Sequence, residues 1–79
     1  MRFLTWNIQS GGGRRVPAIL DELDRVAPGF IALTEVTVNN LASLRSHLLA
    51  QGFGHIETSC SEGRTNSILI ASKVPFRVI

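Results

Sequence analysis

The sequence predicts an α/β fold: one mixed sheet and two helices in the order β-α-β-α-β-β. Three observations carry this reading. Residues 2–8 and residues 30–36 are short apolar runs, rich in aromatic and β-branched side chains and too short for amphipathic helices. Between them Val16, Ile19, Leu20, Leu23 and Val26 recur at i, i+3, i+4, i+7 and i+10, which is one stripe of a helix. Pro28-Gly29 then punctuates the chain, so that strand, helix and strand read as a right-handed crossover with the two strands parallel.

The elements follow in order. The first strand, Arg2-Phe3-Leu4-Thr5-Trp6-Asn7-Ile8, begins near the terminus and needs a cover for its edge; Trp6 belongs to the core. Gln9-Ser10-Gly11-Gly12-Gly13 is a loop in which glycine permits positive φ. It lacks the spacing of a phosphate-cradling fingerprint and reads as a turn. The first helix runs from about residue 15 to 26, with Pro17 in the turn where a missing N–H costs nothing. Asp21, Glu22, Asp24 and Arg25 form its solvated face. A second helix, capped by Asn39 or Asn40 and reaching about Ala50, buries Leu41, Leu44, Leu48 and Leu49, leaves Arg45 and His47 off that stripe, and ends at Gln51-Gly52. Residues 53–58 form a third strand that Gly54 weakens. A polar turn over 59–64 follows, then a stronger strand over 65–72 with the continuous apolar run Ile68-Leu69-Ile70-Ala71. Lys73-Val74-Pro75 turns again, and Phe76-Arg77-Val78-Ile79 opens a further strand.

Size and composition bound the function. Seventy-nine residues hold one small domain with little stability to spare. A hydrophobic fraction of 44% with 18% charge is that of a folded globular chain. No apolar run approaches the roughly 20 residues of a membrane span, and residues 3–8 are too short and too polar for a secretory signal. The single Cys60 cannot form an internal disulfide, which fits a reducing, cytoplasmic setting. With 8 basic against 6 acidic residues the net charge is +2, an ordinary balance. Only Arg14-Arg15 is a basic pair, whereas nucleic-acid binders usually cluster theirs on one face.

Chemistry is expected where the first two strands end. Phe30-Ile31-Ala32-Leu33-Thr34-Glu35-Val36 delivers a carboxylate at the end of an otherwise buried run, and residues 2–8 deliver the amide of Asn7 at theirs. If the strands are parallel neighbours, both groups emerge on one rim, outside the carboxyl ends of parallel strands, where open α/β sheets bind ligands. Each residue also has a plain reading: Asn7 as a strand-ending turn residue, Glu35 as a solvated acid. Arg14, Arg15 and Arg64 have the charge to contact phosphate but read first as solvated surface, His47 reads as a lone surface residue, and His55 falls on the third strand. Asn66 is assigned no role, and Ser10 has no partner in nucleophile spacing.

Taken together, Leu4-Thr5-Trp6-Asn7-Ile8, the glycine-containing loop and helix, Pro28-Gly29 followed by residues 30–36, and the segment Gly63 through Phe76 with its Ser72-Lys73 and Pro75 resemble the opening of the endonuclease/exonuclease/phosphatase superfamily, which includes pancreatic deoxyribonuclease. Gly29 and Thr34 depart from that pattern's Asp and Gln and leave Glu35 in register. The resemblance implies a partial deoxyribonuclease I-like α/β sandwich, with residues 1–79 as its N-terminal portion and most of the second sheet missing. It implies a Mg²⁺-dependent hydrolase, with Mn²⁺ as a substitute, acting on a phosphate ester such as nucleic acid. In that reading Glu35 is a metal ligand, and Asn7 holds the metal or the scissile phosphate. The family's downstream Asp-x-Asn and terminal Asp-His have no counterpart in this sequence, so the chain by itself is expected to be inactive. The competing expectation is a small non-catalytic α/β module that binds a partner or self-associates through exposed strand edges.

Overall fold

The computed structural model describes residues 2–9, 13–59 and 67–77. Its elements are β1 (Phe3–Asn7), a 3-10 turn (Gly13–Arg15), α1 (Val16–Val26), β2 (Phe30–Val36), α2 (Val38–Ala50), β3 (His55–Thr58) and β4 (Ser67–Ser72). This is the β-α-β-α-β-β order that the sequence predicts. The strands form one mixed sheet in the order β1-β2-β4-β3. β1 pairs β2 in parallel, with Phe3 opposite Phe30 and Asn7 opposite Thr34, as the crossover requires. β4 inserts antiparallel between β2 and β3.

Both helices cover the same face of this sheet. Ile19 and Leu23 of α1 and Leu44 and Leu48 of α2 share one cluster with Ile8, Ile31, Leu33, Val36, Leu69 and Ala71, all nearly or wholly removed from water. Trp6 packs against this cluster from β1, as expected of a core residue. The other side of the sheet carries no helix among the described residues, and there Phe3 and Ile68 stand 73% and 47% exposed. The two strand faces thus divide by alternation: one is core, the other open.

α1 ends as the Pro28-Gly29 signal predicts, with Ala27 as its cap in the left-handed region at φ 51° and the Ala27 amide bonded to the Leu23 carbonyl at 3.0 Å. That position usually takes glycine, which lacks the Cβ that makes it unfavourable. Arg25 and Glu22 pair one turn apart on the solvated side, the Arg25 Nε donating to Glu22 Oε2 at 2.9 Å. This bond from Arg25 is the main cause that holds the Glu22 carboxyl below its usual value; desolvation opposes it, and the Arg25 charge adds a lesser lowering. A carboxyl depressed on folding contributes stability above its ordinary pKa and loses it as pH falls through the lower folded value. In an Arg25→Gln variant, the NMR-monitored titration midpoint of Glu22 is expected to move back up. An unchanged midpoint would remove Arg25 as the cause. Because both groups lie in water, the effect on overall stability should be slight.

Several sequence expectations are corrected. α2 starts at Val38 with Thr37 at the cap and no side-chain capping bond from it, so Asn39 and Asn40 lie inside the first turn and neither is the cap residue. Leu49 is 51% exposed: the buried stripe is Leu41, Leu44 and Leu48, spaced three and four residues apart, and Leu49 falls about 100° from Leu48. Phe53 is buried but precedes β3, which begins at His55. Residues 73–77 form no strand. Lys73 donates its amide to the Gly29 carbonyl at 3.0 Å, and Phe76 turns its ring edge-on to Phe30, with centroids 5.8 Å apart. His47, read as a lone surface residue, ties the helices together through Nε2, 2.9 Å from Asp24 Oδ1. The expected polar turn beyond Ser59, with Cys60, Arg64 and Asn66, lies outside the described residues, as do Ser10, Gly11, Gly12, Val78 and Ile79. No helix among the described residues is long and apolar enough to cross a membrane.

Candidate functional site at the carboxyl rim of β1 and β2

Asn7 and Glu35 reach the same rim by different means. In β1, Leu4 and Trp6 are partly buried and Ile8 is 1% exposed, so the even positions face the helices and Asn7 faces away from them. In β2, strict alternation from Ile31 and Leu33 would bury Glu35. Instead the pairing with β4 shifts between Leu33 and Val36, and it is Val36, three residues after Leu33, that is fully buried. One extra residue has been inserted, which is the definition of a bulge. Glu35 lies in that irregularity at φ 60° and is half-buried. The bulge keeps the carboxylate out of the apolar core, where an unpaired charge would be very costly. Glu35, expected from the sequence where the chain is about to turn, lies within β2, one residue before the strand ends.

The register then sets the two residues side by side. Asn7 is paired with Thr34, and the Ile8 amide donates to the Thr34 carbonyl at 3.1 Å, so Glu35 follows directly after Asn7's partner. Gln9, the first residue past Ile8, is also left-handed, at φ 56°. Two non-glycine residues in this uncommon region, on adjacent strand ends, mark a rim whose backbone is held against its own preference.

What holds it is visible on the β1 side. The Asn7 Oδ1 accepts the Gln9 amide at 2.9 Å, the side-chain turn typical of Asn after a strand. Arg15, at the start of α1, donates from Nη2 to the carbonyls of Ile8 and Gln9, both at 3.0 Å, and from Nη1 to Gln9 Oε1 at 3.3 Å. Arg15, which the sequence presents first as solvated surface, ties down the loop that follows Asn7. Neither Gln9's conformation nor Arg15's reach had a signal in the sequence, since both depend on the chain returning from 13–15 to 8–9.

The donor chemistry suits a hard cation better than a transition metal. Mg²⁺ takes oxygen ligands, is commonly held by one or two protein carboxylates, and keeps several waters. Glu35 offers a carboxylate, and the Asn7 amide oxygen has a second lone pair beyond the one used by Gln9. Among the described residues no three His, Cys, Asp or Glu side chains come together, so none forms a closed cage of the zinc type. Neither His47 nor His55 belongs to this rim: His47 is on α2 against Asp24, and His55 begins β3 opposite Ser72, at the other end of the sheet. Ser67, opposite Val36, carries a buried hydroxyl with no hydrogen-bond partner among the described residues. Compared with known proteins, the chain matches no protein-family model, no curated protein and no solved structure.

Proposed function

We propose that the rim of Asn7 and Glu35 binds a Mg²⁺ ion together with a phosphate ester, as the ligand-holding part of a metal-dependent phosphoesterase site. One observation supports this above the rest: a bulge in the central strand turns an acid out of the core beside an amide, at the carboxyl end of parallel strands. The sequence resemblance to the endonuclease/exonuclease/phosphatase pattern points to the same two residues. Glu35 would supply the charged oxygen, and Asn7 a neutral oxygen to the ion or an N–H to a phosphate oxygen. A bound Mg²⁺ supplies Lewis acidity toward a phosphoryl oxygen. Arg15 acts by positioning the loop behind Asn7.

With a single carboxylate the affinity is expected to be low, and because the chain's Asp24–His47 pair joins the two helices and does not belong to this rim, the 79-residue chain should not turn over. The test is a Mn²⁺ titration of the ¹⁵N-labelled chain, with Mg²⁺ as competitor. Paramagnetic broadening should centre on residues 7–9 and 34–37, be reversed by Mg²⁺, and be lost in Glu35→Ala. Broadening spread evenly over all acidic residues, or unchanged in that variant, would refute the reading. Hydrolysis of an activated phosphodiester should not exceed that of Glu35→Ala. Turnover that vanishes in the variant would instead show a complete site in this chain.

A further inference from the structure

On the open side of the sheet the rim runs into a depression. Leu33 pairs with Leu69 and Val36 with Ser67, so Ile68 is the β4 residue that faces Thr34 and Glu35 across the bulge. By alternation Ile68 and Ile70 point to the open side, as Asn7 does, and Glu57 lies opposite Ile70 on β3. The depression, of about 270 Å³ and lined by Glu57, Thr58, Ser59, Ile68 and Ile70, therefore begins one strand away from Glu35 and extends to Glu57.

Its floor and its far end differ in chemistry. The Thr58 hydroxyl donates to the Ile68 carbonyl at 2.8 Å, and the Ile68 amide donates to the Ser59 hydroxyl at 3.0 Å. Both hydroxyls are thus turned to backbone, the Ile68 side chain stays 47% exposed, and the floor is apolar. Glu57 supplies the charge: it is exposed and belongs to neither of the two ion pairs among the described residues. An apolar wall with few placed polar groups is the usual make-up of a site for an organic group. We propose that this depression seats the organic group of the ester whose phosphate and cation are held at Asn7 and Glu35, and that it selects an apolar body ending in an N–H donor or ammonium group. The inference rests on the cation and phosphate binding proposed for that rim.

The span and the polarity set the class of ligand. Two strand spacings of about 4.8 Å and two residue steps of about 3.3 Å put the Glu35 and Glu57 backbones about 12 Å apart. An ester of a two-carbon amino alcohol is too short to touch both ends, whereas a ring with a short nitrogen-bearing arm bridges them. A polyol would leave hydroxyls without partners on the isoleucine floor. A carboxylate only accepts hydrogen bonds, so the far end of the ligand must donate.

The test is a titration of the ¹⁵N-labelled chain, in excess Mg²⁺, with O-phosphotyramine, phenyl phosphate, phosphoethanolamine and glycerol phosphate. Phosphotyramine should move the amide signals of residues 57–59 and 68–70 together with those of 7–9 and 34–36. Affinity should fall about threefold for phenyl phosphate, which lacks the nitrogen, and about tenfold for glycerol phosphate, which has no ring to cover Ile68 and Ile70. Glu57→Gln should erase the first difference and keep the second, and phosphoethanolamine should be indifferent to it. Ile68→Ser should bring both aryl esters toward glycerol phosphate. Both variants alter exposed side chains, and two are used so that one misfolded variant leaves the other to decide. Equal affinities for the four esters, or shifts confined to the rim, would overturn the proposal and leave the cation site at Glu35 standing. Shifts at 57–59 and 68–70 that persist unchanged in Glu35→Ala would also overturn it, because the depression and the rim would then not share one ligand. Failure of the rim itself has a different mark, the absence of Mn²⁺ broadening at residues 34–37, and it removes this inference as well.

Discussion

Leu33→Ala is expected to remove much of the stability of this chain and leave it partly or wholly unfolded at 37 °C. Leu33 is fully buried at the middle of β2, with Trp6 as its register partner on one side and Leu69 on the other. Its side chain lies in the cluster built by both helices. Deleting such a side chain costs about 2–5 kcal/mol, the lost transfer free energy plus the cavity that neighbours cannot close. A 79-residue domain has in total roughly 4–12 kcal/mol. The substitution therefore removes a large part of what there is, and the chain has no disulfide to compensate. Leu49→Ala, on a side chain 51% exposed, should cost less than about 0.5 kcal/mol. Urea unfolding followed by circular dichroism gives both numbers. A Leu33→Ala cost below about 1 kcal/mol would mean that β2 is not the centre of the core.

That contrast between two leucines also shows what the sequence makes legible. The element order, the parallel β1-β2 pair and the stripe of α1 follow from periodicity and from Pro28-Gly29, because local spacing and punctuation decide them. Leu49 was misassigned because α2 offers four leucines where three suffice, and only the packed neighbours choose among them. The start of α2 was misplaced because Asn39 and Asn40 are better caps by preference than Thr37, yet Val36 must end its strand in the core, which leaves one residue to turn on. Preference lost to the tertiary constraint. For the site, the placement of Asn7 could be read from alternation alone. Glu35's could not: alternation would have buried it, and only the shifted β2-β4 register reveals the bulge. The Arg15 bonds and the His47–Asp24 tie join residues 6, 7 and 23 positions apart and leave no trace in composition or spacing.

Glu35→Gly should make the chain more stable and abolish its response to divalent cations, the two effects having one cause. A non-glycine residue in the left-handed region is disfavoured by about 1–2 kcal/mol, and Glu35 sits there at φ 60°. Glycine removes that cost while losing more conformational freedom on folding, by about 0.5–1 kcal/mol. The net gain expected in urea unfolding is thus about 0.5–1 kcal/mol. Glu35→Ala keeps the Cβ and the unfavourable φ, so it should lose cation binding without the gain. A gain in stability together with loss of cation binding would support a ligand-binding role for Glu35, because strain at a residue the fold is more stable without calls for a reason other than stability. If Glu35→Gly instead destabilises the chain by about 1 kcal/mol or more, the carboxylate is holding the bulge together, and its role is structural.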